Sequence, residues 1–201
     1  MPLSKQHKAQ TRESIVRGAG RVFRRAGFEA TGIDAVMAEA GLTRGGFYAH
    51  FASKEDLFAT VVGTDHGLIR MLAARQAANA AQWRARTLKL LADYLHFDHL
   101  DEVSQGCSFA ALTADASRGS PAVRAAYGRA FDELVAQLLR RFGETADRAA
   151  SRASARQREA AAQVAVVAIG SLIIGAALGG GPAARAALAA AWSNVRERMD
   201  Q

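Results

Sequence analysis

The chain has 201 residues, half of them apolar, a formal net charge of +7 and a single cysteine. That length allows one globular unit, or a small domain with a larger one. One cysteine excludes an intramolecular disulfide framework and fits a reducing compartment, and the polar start MPLSKQHKAQ lacks a signal-peptide apolar stretch, so a cytoplasmic protein is expected.

Alanine is abundant, proline is rare and β-type alternation is absent, which predicts an all-α fold of about nine helices. The first helix is expected over Thr11–Ala26, with Ile15, Ala19, Val22, Phe23 and Ala26 on one face and Gly27 ending it. Thr31 can cap the second helix, with Asp34 in the reciprocal position and Val36, Met37 and Ala40 as its apolar side. Gly41 supplies the positive φ that stops it. Thr43 caps a short third helix, and Ser53-Lys-Glu-Asp56 reads as another capping box. Two short helices across a glycine turn form a helix-turn-helix, whose second helix is built to enter a DNA major groove. Residues 1–54 carry nine Lys/Arg against four Asp/Glu, the charge pattern of a phosphate-binding face.

Helix four is expected to run unbroken from Lys54 to about Arg75, with Leu57, Val61, Leu68 and Leu72 along one stripe coupling this head to the rest. A fifth helix covers Asn79–Phe97, a loop Ser104–Gly106, and a sixth helix about Cys107–Ala116. Ser120-Pro121 starts a seventh helix, to about Phe142. Residues 143–155 read as a linker. The eighth helix spans about Arg156–Leu178, stopped by Gly179-Gly-Gly-Pro182, and the ninth runs from Pro182 to Met199.

No charged residue falls between Ala160 and Ala184. The strongly apolar part, Val164–Leu178, is shorter than the roughly 20 residues a membrane span needs, so no membrane association is expected. A helix apolar all round belongs in a core or at an interface. Paired with the ninth helix across a two-fold axis it would make a four-helix dimer interface. Ile169 and Ile173 are both expected there, and Asp at either should give monomers or aggregates.

In the recognition helix, Thr43 can cap or touch phosphate. Arg44 points outward from the first turn, where arginine either reads guanine bidentately or pairs with phosphate. Gly45 and Gly46 let the backbone approach DNA. Phe47 and Phe51 read as core. Lys54, at the start of helix four, is placed to bind phosphate with the free N–H groups there. Catalysis is not expected: Cys107 with His96 or His99 is the available sketch, nothing orients the histidine, and no metal-ligand spacing or cofactor motif is present.

The run Gly41-Leu-Thr-Arg-Gly-Gly-Phe-Tyr-Ala-His-Phe-Ala-Ser-Lys-Glu-Asp-Leu57 resembles the signature of the tetracycline-repressor (TetR) family. Thr11-Arg-Glu-Ser-Ile15, Ala19, Phe23, Gly27-Phe28 and Thr31 stand at that family's spacings as well. Val36 departs from the usual isoleucine, and Gly46 from a position often filled by a base-contacting side chain. The resemblance implies a homodimeric transcriptional regulator, mostly a repressor, bound to double-stranded operator DNA and released by a small-molecule effector. It implies a DNA-binding domain over 8–55 and a ligand-binding and dimerisation domain over 56–201. Tyr48 and His50 would join Thr31, Thr43, Arg44, Gly45, Gly46 and Lys54 on the DNA. Phe58, Val62, Trp83, Tyr94, Cys107, Phe109, Tyr127 and Phe131 are candidate effector contacts, with core packing as the alternative. Gln105-Gly-Cys-Ser108 resembles the branch containing the N-ethylmaleimide-responsive repressor, where Cys107 at a helix N-terminus would be an activated thiol; the alternative is a small buried hydrophobe. The competing function is a sequence-nonspecific architectural DNA binder, which needs neither a pocket nor the long C-terminal helical region.

Overall fold

A computed structural model describes residues 5–64, 66–96, 107–141 and 143–199. Among them are ten α-helices, one 3-10 helix and no strand. In chain order these are α1 (Lys5–Ala30), α2 (Ile33–Glu39), the 3-10 helix (Arg44–Ala49), α3 (Lys54–Thr64), α4 (Gly67–Ala74) and α5 (Ala80–Tyr94). There follow α6 (Ser108–Arg118), α7 (Pro121–Leu139), α8 (Ala146–Arg152), α9 (Ala155–Ala177) and α10 (Pro182–Met199). The predicted Ser104–Gly106 loop, His99, and the helix ends at Phe97 and Phe142 lie outside the described residues.

Local signals set several boundaries as the sequence predicts. Gly27 breaks α1 at φ 79°, a conformation in which a Cβ would be strained and would press on Asp115 at 3.3 Å. Gly41 takes φ 72° after α2, and the next amide, Leu42 N, donates to Met37 O at 2.8 Å. Ser53 Oγ accepts from Asp56 N, while the Asp56 carboxylate accepts from Ala52 N. Ser120 caps α7, with Pro121 in its first turn.

Three expectations change. Helix four is two helices. His66 is extended (φ −117°, ψ 109°) and forms an antiparallel bridge with Cys107, while its ring stacks on Phe109 at 3.8 Å. A contact 41 positions away thus overrides a local pattern that favoured one helix. The expected linker at 143–155 contains α8, capped by Thr145, whose side chain accepts from Arg148 N. Thr31 does not cap α2; Gly32 holds that position, and the buried Thr31 hydroxyl donates back to Gly27 O at 2.7 Å.

Two apolar clusters organise the fold. One joins α1, α2, the 3-10 helix and α3 through Phe23, Phe47, Phe51 and Phe58, and continues into Leu112, Val123 and Ala126 of α6 and α7. The boundary read at 55/56 falls in the first turn of α3, and this cluster runs across it. The other gathers α4, α5, α6, α7, α9 and α10 around Leu91, Leu134, Leu172 and Val195. By length and composition α9 could cross a membrane, but one face of it is buried in this second cluster. Its other face leaves Val166, Ile173, Ile174 and Leu178 exposed. Burial of α9 is therefore one-sided within a single chain, and Ile169, at 7% exposure, lies on the inner side.

Candidate DNA-binding face

The head is held by contacts that orient the 3-10 helix. α2 is tied to α1 by Glu39, which accepts from Arg21 Nε at 2.6 Å and Arg25 Nη2 at 2.7 Å. Those two guanidiniums hold the Glu39 carboxyl below its usual value. Phe47 packs inward with no exposure, and Phe51 lies beneath the Arg12 guanidinium at 4.6 Å. With the inner side of the segment occupied, its other residues face out.

Arg44 and Tyr48 are exposed, and Tyr48 is 63% accessible with its ring edge-on to Phe47. Arg44 Nη1 donates to Asp34 Oδ2 at 2.7 Å, an ion pair exposed on both sides. Thr43 stands at the N-cap position without a side-chain cap bond. A Cβ on Gly45 would meet nothing within 4 Å, and one on Gly46 would meet only the Met37 methyl at 3.6 Å. Packing therefore does not demand glycine at either position. What the pair provides is a stretch of recognition backbone with no side chain in front of it.

His50 lies beside this face, and its Nδ1 is buried without a hydrogen-bond partner. Desolvation, then the charges of Lys8 and Arg12, pull its pKa below 6.5. As pH falls through about 6.5 the unfolded chain takes up the proton first, so the stabilisation is intact above that value and declines below it. We expect His50→Gln to lose less melting temperature than wild type between about pH 7.5 and about pH 5.5. Equal losses would show that His50 does not titrate with the fold.

Lys54 is placed differently from the sequence expectation. Its Nζ donates to Phe28 O at 2.9 Å and Thr31 O at 3.1 Å, reaches Glu29 O at 3.5 Å, and lies 4.3 Å from the Phe28 ring centre. The ammonium closes the elbow between α1 and α2 and does not stand free for phosphate. Thr31 is likewise an elbow residue, 2% exposed. Sequence reading missed Lys8 and Arg12, which border His50, and Glu39, which fixes α2. The available signal was the excess of basic residues, without positions.

The expected effector residues are spread over both clusters. Phe58 and Val62 belong to the first cluster, where Phe58 packs on Phe23 and Phe28. Tyr94, Cys107 and Phe109 are buried in the second, with Tyr127 and Phe131 packed against it. Cys107 Sγ lies 2.6 Å from Tyr94 Oη. Burial pushes the thiol up and outweighs the Tyr94 hydroxyl and the backbone N–H groups that lower it, which fits the small buried hydrophobe of the two readings and not the activated thiol. A cleft of about 550 Å³ opens elsewhere, and of the expected contacts only Trp83 lines it.

The comparisons with known proteins agree with this geometry. Residues 15–61 match the model for bacterial regulatory proteins of the tetR family, a span from the core face of α1 into α3. This N-terminal segment is of the TetR type. It is 31% identical over 106 residues to the uncharacterized HTH-type transcriptional regulator YfiR of Bacillus subtilis, a match covering 52% of this chain and 46% of that one. It is 36% identical over 63 residues to the HTH-type transcriptional repressor BepR of Brucella suis, covering 31% and 30%. The chain thus spans less than half the length of these curated relatives. The crystal structure of reduced NemR from E. coli has the same fold at 20% identity, with a TM-score of 0.66 over 94% of this chain and 96% of that one.

Proposed function

We propose that this protein is a cytoplasmic, dimeric transcriptional repressor that binds a palindromic operator and is released by a small molecule. The observation that carries the reading is the outward face of Arg44, Gly45, Gly46 and Tyr48, set on a rigid aromatic core inside the segment that matches the family. Nothing in the reading calls for catalysis or a cofactor. Effector release would act through α6, which packs on the head and hydrogen-bonds to it: Ser108 Oγ accepts from Arg24 at 2.9 Å, and Asp115 accepts from Phe28 N at 3.0 Å. A shift of α6 would move α1 and change the separation of two heads. A coupling of about 1–3 kcal/mol is enough for a 5- to 150-fold loss of affinity.

The test is selection from randomised duplex DNA followed by footprinting. Two half-sites about 34–36 Å apart are expected. Arg44→Ala should relax preference at particular base pairs. Asp34→Asn should tighten binding a few-fold, because it frees Arg44 from an exposed pair worth about 0.2–1 kcal/mol and removes a negative charge beside the DNA. Equal affinity for selected and scrambled DNA at physiological salt would favour the architectural reading.

A further inference from the structure

The cleft named above lies between α5, the end of α7, α8, the first turns of α9 and the end of α10. Its floor and walls are apolar, with Trp83, Leu138, Ala161, Val164 and Met199. Its polar lining is one-sided: Arg84, Arg140, Arg141, Arg152 and Arg198, against Glu144. Arg140 and Arg198 are engaged by neutral groups, Arg140 with Gln137 Oε1 and the carbonyls of Ala73 and Glu144, Arg198 with Asn194 and Gln163. Among the described residues no carboxylate pairs with the guanidinium of Arg141 or Arg152, and Glu144 Oε2 accepts from the Arg141 backbone N at 3.4 Å.

The positive charge continues behind the wall. Arg75 is 7% exposed and stacks on Trp83 at 4.1 Å, while Arg140 lies over the same indole at 4.9 Å. Arg75 donates to Gln137 O at 2.8 Å, but its Nε and Nη1 are buried without partners. Burial, and then the charge of Arg140, lower its pKa to about 10. Two guanidiniums on one indole, with no carboxylate between them, repel each other and raise the potential in the cleft. Unpaired buried charge is costly, and a bound anion would offset it.

We propose that this cleft is a binding site for an organic anion with an apolar body, its acid group held by Arg141 and Arg152 and its body lying along Trp83, Leu138 and Val164. The volume suits a small molecule, since ligand pockets run about 300–1,000 Å³. The mixed lining selects against both halves alone: a small inorganic anion leaves the apolar wall wet, and a neutral apolar molecule leaves Arg141 and Arg152 unmatched. The exposed apolar face of α9 starts at Val166 and runs toward Leu178, whereas the cleft uses its other end, Gln157 to Val164. As the effector class of a repressor, the inference rests on the function proposed above; as a binding site it stands on its own residues.

The experiment is calorimetric titration of the full chain, without DNA, using decanoate as probe, with decanol and acetate as controls. Decanoate should bind, decanol and acetate should bind at least roughly tenfold more weakly, and the Arg141→Gln/Arg152→Gln pair should lose roughly tenfold or more in decanoate affinity. Both arginines are surface side chains at the rim, so the double variant should keep the wild-type melting temperature. Ala160→Trp, which fills the cleft from α9, should block decanoate as well. Absence of decanoate binding, equal binding of decanol, or full affinity in the double arginine variant would overturn the site. Decanoate binding in a protein that shows no operator preference would uphold the site and overturn the repressor reading alone.

Discussion

Ile174→Asp is expected to leave a folded monomer with at least roughly a hundredfold weaker operator binding, the scale on which linking two sites raises avidity. Ile174 is 55% exposed within one chain, with Val166 at 59% on the same helix and Leu178 at 47% just past its end, so Asp there costs the isolated fold little. In a dimer formed through α9 the same face would be dry. Covering a large aliphatic side chain contributes about 1.5–3 kcal/mol, and several per subunit outweigh an association cost of about 4–15 kcal/mol. An uncompensated carboxylate at the centre of such a face costs several kcal/mol and reverses the balance. Ile169→Asp provides the contrast. At 7% exposure it sits in the chain's own core, so that variant should unfold. Sedimentation and thermal melting separate the cases. An Ile174→Asp protein that remains dimeric at wild-type strength would remove this face from the interface.

The sequence alone placed Ile169 and Ile173 together because a charge-free helix has no visible inner and outer side. The inner side is defined by what packs on it, and α7 and α10 cannot be located from the composition of α9. The same distinction explains what else was legible. Helix ends written in one or two residues, such as Gly27, Gly41 and Ser120-Pro121, lie where they were expected, because a positive φ or a cap is a local event. The break between α3 and α4 is not local: it depends on His66 meeting Cys107 and Phe109, and the apolar stripe on either side keeps helical spacing across it.

The candidate site divides in the same way. Arg44 and Tyr48 are both exposed, Arg44 as its place in the first turn predicts. The candidate effector contacts are mainly aromatic residues spread from Phe58 to Phe131, and nothing in a sequence distinguishes an aromatic that lines a cavity from one that fills it. Seven of the eight belong to the two clusters or pack against them. The cleft is built mainly from arginines and alanines, residue types that read as a solvated surface until α5, α8 and α10 are brought to the same place.

Lys54→Ala should destabilise the head and weaken DNA binding through the fold, with the salt dependence unchanged. The ammonium reaches three carbonyls at the α1–α2 elbow and lies against the Phe28 ring. Removing it leaves the carbonyls of Phe28 and Thr31 in a part-buried site without their donor. Hydrogen bonds from a charged donor contribute about 1.5–3 kcal/mol, and a cation–π contact adds roughly 0.5–1 kcal/mol at such a site. A loss of about 2–3 kcal/mol in the head is therefore expected. Lys54→Met keeps most of the aliphatic stem and removes only the donor, so it should lose nearly as much. A lysine that held phosphate would behave differently: its loss would leave stability unchanged and reduce the slope of log affinity against log salt by about one. Chemical denaturation of both variants, followed by operator titration at several salt concentrations, reads the two quantities independently. Wild-type stability with a flatter salt slope would return Lys54 to the DNA and overturn the elbow role.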